Sequence, residues 1–121
     1  MKIDFILDTN ILVHLFAGSL KESLPDKVFG YSVITEIELF SYPYLSKKDE
    51  QQLYKLLLRL YEIPLTEEIK QQTIQLRKQH KIKIPDAIIS ATAIVKNTIL
   101  LTNDKQLLTI PELKAESLNT E

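Results

Sequence analysis

Residues 3–17 read IDFILDTNILVHLFA. Positions 3–7 are mostly apolar and favour a strand, which runs directly into Asp8. From Asn10 to Ala17 the residues are apolar enough for a helix, and Gly18 can end it. Asp8 sits between FIL and TNILV, so a charge interrupts a segment that otherwise reads as buried. A strand that stops at an acid and turns straight into a helix is the opening of a βαβ unit.

The rest of the chain repeats the alternation. Residues 19–27 (SLKESLPDK) contain Pro25 and read as a short helix or loop. Residues 28–33 (VFGYSV) read as a second strand, and a helix over 34–42 follows, stopped by Pro43. Ser46, with Asp49 and Glu50 behind it, is a good helix start, and that helix is expected to reach Tyr61. A third strand is expected over 63–65. Thr66 caps the next helix, with Glu67 and Glu68 in its first turn, as far as His80. Pro85 opens a helix to Lys96, residues 98–101 (TILL) read as a fourth strand, 103–108 as a short helix and 113–117 as a last strand. This order predicts an α/β fold: a central, mostly parallel sheet of four to five strands, flanked by helices in a three-layer sandwich.

With 121 residues, the length suits one domain over 1–121. A hydrophobic fraction of 45% and a charged fraction of 26% fit a folded globular chain and argue against disorder. No cysteine is present, which excludes disulfides and thiolate metal sites. The two glycines, Gly18 and Gly30, cannot write a P-loop or a GxGxxG fingerprint. His14 and His80 have no metal-ligand spacing. The net charge of −1 gives no global attraction to nucleic acid, so a polyanion would have to be held through metal ions or a local basic patch. Asp4 and Asp8 break any signal-like run, and no apolar stretch approaches a membrane span. The expectation is a cytoplasmic protein with no membrane contact.

In open parallel sheets, ligands bind beyond the carboxyl ends of the strands. Asp8 follows the first strand there, and Asp104, in LLTND, follows the fourth. Asp86, in KIPDAIIS, opens a helix that carries no charge from Ala87 to Val95. Glu38, in SVITEIEL, lies on the helix after the second strand. Each has a plainer reading: Asp8, Asp86 and Asp104 as helix-start acids, and Glu38 as the partner of Thr35 in a capping box. Taken together they are four acids from distant segments converging on one sheet edge. Clustered carboxylates repel unless cations or shared protons offset the charge. Oxygen ligands without His or Cys suit Mg2+ or Mn2+. The chemistry that uses such a cluster is metal-assisted phosphodiester hydrolysis.

The runs ILDTNILV, SVITEIEL, IPDAIISATA and LLTND, in this order and spacing, resemble the PIN domain, and within it the VapC toxins of toxin–antitoxin pairs. The resemblance extends over nearly the whole chain. It implies a PIN-like α/β fold and a Mg2+- or Mn2+-dependent ribonuclease acting on RNA. Asp8, Glu38, Asp86 and Asp104 fall on the family's acidic positions, with Asp8, Asp86 and Asp104 the main metal ligands. Asn10 and Thr102 fall on its supporting positions. Glu36 competes with Glu38, but two residues apart on a helix they face different ways. Two departures stand out: LFSYPYL after Glu38 lacks a glycine common in relatives, and KQLL after Asp104 lacks a common aromatic.

Residues 53–61 (LYKLLLRLY) are apolar nearly all round, interrupted by Lys55 and Arg59 alone. Either this is a central core helix or its outer face binds a protein. The resemblance implies an antitoxin held by a helical hairpin near this position, and toxins that pair as homodimers. Leu53, Tyr54, Leu57 and Tyr61 are the partner-binding candidates. Arg77, Lys78, Lys81 and Lys83 precede Asp86 and are either a solvated face or a grip for RNA phosphates. Two rival functions remain at this point: a non-catalytic protein-binding module with the same fold, and an aspartate-based phosphotransfer domain. For the second, a haloacid-dehalogenase type site would need an aspartate where Asn10 stands.

Overall fold

Phe5–Leu7 form β1, the middle strand of a five-stranded sheet, in the computed structural model, which describes residues 2–18 and 24–118. The other elements are α1 (Thr9–Ala17), β2 (Phe29–Ser32), α2 (Val33–Phe40), α3 (Lys47–Leu57), β3 (Tyr61–Ile63), α4 (Glu67–Gln79), α5 (Ile84–Val95), β4 (Ile99–Leu101) and β5 (Ala115–Glu116). A single 3-10 turn, Leu107–Thr109, stands where a short helix over 103–108 is expected. The expected element over 19–27 lies partly outside the described residues, and 24–27 are neither helix nor strand.

The sheet order is β3-β2-β1-β4-β5, and every pairing is parallel. Chain order therefore runs outward from β1 on one side and returns to its other side with β4. Between β1 and β4 lies the switch point, where an open parallel sheet offers a crevice to a ligand.

Alternation along the short strands feeds two cores. Ile6 and Leu100 point to one face, packed with Ile69, Leu76, Ala87, Ile89 and Ala91 of α4 and α5. Leu7 and Leu101 point to the other, packed with Ile11, Leu12, Leu39, Leu53 and Leu57. This is the period of two expected of strands buried on both sides. Gly30 has a steric reason: a Cβ there would come within 3.0 Å of the Ile63 side chain and 3.2 Å of the Tyr61 carbonyl.

Helix ends follow local chemistry. Gly18 closes α1 in the left-handed region at φ 70°. Ser46 and Asp49 form a reciprocal capping box on α3, and Thr66 caps α4. At the end of α5, Asn97 takes φ 51°, and the amides of Asn97 and Thr98 bond to the carbonyls of Ile94 and Ala93. The helix that is buried all round is α5, where every residue from Ala87 to Ala93 is inside.

The segment 53–61 is therefore not one helix. It leaves α-helical geometry after Leu57, and the amides of Arg59 and Leu60 reach back three residues to Leu56 and Leu57. The chain then pairs Tyr61, Glu62 and Ile63 with Gly30, Tyr31 and Ser32, two residues earlier than the expected strand. Those long-range strand bonds override local helix preference. Leu53 and Leu57, offered above as partner-binding residues, lie in the core at 2% and 4% exposure. Tyr54 and Tyr61 do face outward, as does Leu58 at 74%.

Candidate metal centre

Asp8 is the hub of the crevice. Its backbone amide donates to the Leu101 carbonyl (2.9 Å), which fixes it between the ends of β1 and β4. Its Oδ1 accepts from the Thr9 amide at 2.7 Å, so it caps α1 as well. Its Oδ2 accepts from the Thr102 hydroxyl at 2.6 Å and from Asn10 Nδ2 at 3.2 Å. The Thr102 hydroxyl in turn accepts from the Asp104 amide (3.0 Å), and Asn10 Oδ1 accepts from the Asn103 amide (3.3 Å). Both supporting residues thus touch the acid they flank. Asp104 Oδ1 accepts from the amides of Gln106 (2.8 Å) and Leu107 (3.4 Å).

Glu38 and Asp86 approach from the helices. The capping box expected for Glu38 does not form, because Ser32 caps α2 and Thr35 is buried one turn inside it. Glu38 Oε1 instead accepts from the Thr9 hydroxyl at 2.7 Å, and that hydroxyl also lies 3.0 Å from the hydroxyl of Thr35. Glu36 points elsewhere, sharing a hydrogen bond with Glu62 that raises its carboxyl above the ordinary range. Asp86 stands in the first turn of α5, where Lys83 gives no side-chain cap. One turn on, the Ser90 hydroxyl is buried with no hydrogen-bond partner.

Electrostatics joins the four acids. Burial pushes the Asp8 carboxyl up; bonds from Thr102 and Thr9 oppose this, and the charges of Asp86 and Asp104 add to it. Burial also raises Asp86, helped by the charges of Asp104 and Glu38 and opposed by Lys83. Asp8 is 3% exposed, so its charge is held at a desolvation cost that hydrogen bonds only partly offset.

Among the described residues, no three His, Cys, Asp or Glu side chains stand close enough, as they lie, to form a ready-made metal shell. The donor set still suits one kind of ion. Mg2+ keeps several waters and takes one or two carboxylates, so three inner-shell acids are not required. One buried and several partly exposed carboxylates that repel one another match that demand, and an imidazole- or thiolate-seeking ion finds nothing among them.

Two surfaces border the site. A cleft of about 410 Å3 is lined by Thr9, Val13, Phe16, Glu38, Tyr42 and Leu45, among others, so two residues of the site form part of its wall. On the far side of α5, Leu65, Ile74 and Ile84 line a groove with Lys70, Arg77 and Lys78. Of the four cations expected before Asp86, Lys83 is the one that acts on Asp86, and Arg77 is occupied by the Ile82 carbonyl at 3.2 Å. Reading the sequence missed Thr9, which holds Glu38; its signal is adjacency to Asp8 in DTN.

Fold and crevice together define a parallel α/β domain with an acidic site at its switch point. The sequence profile of the PIN domain matches residues 5–113, and the chain belongs to that family. Among solved structures, it is similar to a chain of a toxin–antitoxin complex from Klebsiella pneumoniae, at 32% identity over 91% of this chain and 95% of that one, with a TM-score of 0.74. It is also similar to a chain of VapBC2 from Rickettsia felis bound to a promoter DNA fragment. That match has 23% identity and a TM-score of 0.81, over 97% and 100% of the two chains. VapBC-1 from Haemophilus influenzae matches at 25% identity and a TM-score of 0.72, over 95% and 98%. No curated protein matches the sequence.

Proposed function

We propose that this chain is a divalent-metal-dependent ribonuclease and the toxin of a toxin–antitoxin pair. The observation that carries the reading is the crevice itself: Asp8, Asp86, Asp104 and Glu38, from four separate segments, act on one another at the sheet's switch point. Family membership and the complexes in which similar chains occur support the biological role.

Asp8, Asp86 and Asp104 would hold Mg2+ or Mn2+, and the bound ion would supply Lewis acidity to activate water and offset charge on the scissile phosphate. Thr102 and Asn10 fix the orientation of Asp8. Thr9 keeps Glu38 beside Asp86, where its carboxylate would orient water toward the phosphorus. Lys83 places a positive charge beside the same acids and would attract the RNA backbone. Exposed Tyr42, Tyr44, Tyr54 and Leu58, on and around α3, would seat the antitoxin, and a homodimer is the expected toxin assembly. Among the described residues no helix is long and apolar enough to cross a membrane.

The test is cleavage of RNA by purified protein in Mg2+ or Mn2+, with and without EDTA. Cleavage is expected to need the ion and to fall by orders of magnitude in folded Asp86→Asn and Asp104→Asn. Full activity in EDTA, or in either variant, overturns the assignment. A chain that binds no divalent ion and cuts no RNA is instead a protein-binding module on this fold.

A further inference from the structure

Asp86 and Asp104 reach the crevice on segments that do not adjoin in sequence, and one exposed residue, Gln106, spans them with its backbone amide and its side chain. The Gln106 backbone amide donates to Asp104 Oδ1 at 2.8 Å. Its side-chain Nε2 donates to the Lys81 carbonyl at 2.5 Å, five residues before Asp86. The short stretch 80–83 that delivers Asp86 is held by Ile82 in the core and by two further side-chain ties. Arg77 Nε donates to the Ile82 carbonyl at 3.2 Å, and His80 Nε2 lies 3.0 Å from Glu112. The His80 contact again joins the short connection between α4 and α5 to the loop after Asp104. Gln106 is the member of this set that touches both an acid's own oxygen and the opposite segment.

We infer that Gln106 is a positioning residue that sets the spacing of Asp86 and Asp104 for a divalent cation. The inference rests on the metal-site reading above. The physical argument is preorganisation. Two carboxylates that repel each other drift apart when nothing ties their backbones, and closing the gap is then charged against ion binding. A hydrogen bond across the gap meets that cost during folding.

The test is Mn2+ binding by calorimetry, with metal-free thermal melting alongside, for wild type, Gln106→Ala and Gln106→Met. Methionine keeps the length and bulk of the side chain but cannot donate. Both variants are expected to bind Mn2+ about tenfold more weakly, the low end of what partners outside the first shell of ligands cost. The metal-free melting temperature should stay within about a degree of wild type, since the residue is exposed and surface changes are small. Unchanged Mn2+ affinity in both variants, with wild type binding, overturns the inference alone. So does a methionine variant that binds like wild type while alanine does not, since packing would then be the cause. Equal losses of stability and affinity would mark a merely structural tie and also overturn it. Absence of Mn2+ binding by wild type overturns the site reading and this inference with it.

Discussion

The crevice at the end of β1 and the surface around α3 treat their side chains in opposite ways. In the crevice polar groups are drawn inside and tied together: Asp8 alone accepts three hydrogen bonds, from Thr9, Asn10 and Thr102. Around α3 the large apolar side chains go uncovered, with Tyr44 at 81% exposure and Leu58 at 74%. Polar residues placed inside at a desolvation cost mark chemistry. Apolar residues left outside mark contact with another molecule. The two regions meet at the wall formed by Thr9 and Glu38, so a partner seated on the apolar surface would reach the site.

The largest expected effect separates the inner and outer faces of α3. Leu53→Glu or Leu57→Glu puts an unpaired carboxylate into a packed core. Each should cost about 3–5 kcal/mol and abolish a cooperative melt. Leu58→Glu and Tyr54→Glu should leave the melt intact. A folded Leu57→Glu protein would erase the distinction.

Next comes partner binding. Burying one leucine contributes about 1.5–3 kcal/mol, or one to two decades of affinity. Leu58→Glu should therefore weaken binding to the cognate antitoxin by about that factor, while free protein still cleaves RNA with metal. Loss of both activities together would mean that the two regions are not separable.

The crevice should respond to metal alone. At a hundredfold excess over its dissociation constant, Mn2+ should stabilise the fold by about 2.7 kcal/mol, and Asp8→Asn should forfeit most of that gain. Calorimetric melting of the two proteins with and without Mn2+ reads this directly. An equal gain in both would place the ion elsewhere.

The smallest effect is on pH. Asp8 and Asp86 have raised carboxyls in the fold, against an ordinary value of 3.8. The folded state then holds these protons more tightly than the unfolded chain. Just above that value, the two groups add stability as pH falls and remove it as pH rises. Without metal at pH 7, Asp86→Asn should melt slightly higher than wild type. The gap should close as pH falls through the raised value of the Asp86 carboxyl toward the ordinary 3.8. A gap that is constant or reversed would show that Asp86 bears no repulsive charge.

Much of this was legible in order and chemistry. The alternation of strands and helices led to the parallel sheet, Gly18, Ser46 and Thr66 marked helix ends, and the position of Asp8 after FIL placed an acid at a strand terminus. What stayed hidden depends on contacts distant in sequence. LLRLYEI suits a helix or an edge strand equally well, and it becomes β3 because residues 30–32 offer it a ladder. Thr35 looks like half of a capping box until Thr9, twenty-six residues away, claims its hydroxyl and Glu38 together. Gln106 has no periodicity to betray it, since its significance comes from a carbonyl on another segment.

The parallel pairing of β1 with β4 also has a consequence in time. Asp8 is made well before Thr102, which hydrogen-bonds to it from ninety-four positions later in the chain. Central strands with partners so remote must wait for the chain between them to be made and the loop to be closed. Until β4 docks, Asp8 has neither its strand neighbour nor its hydroxyl partner. The crevice is therefore assembled late, and a nascent chain still short of β4 carries Asp8 without the segment that completes the candidate site.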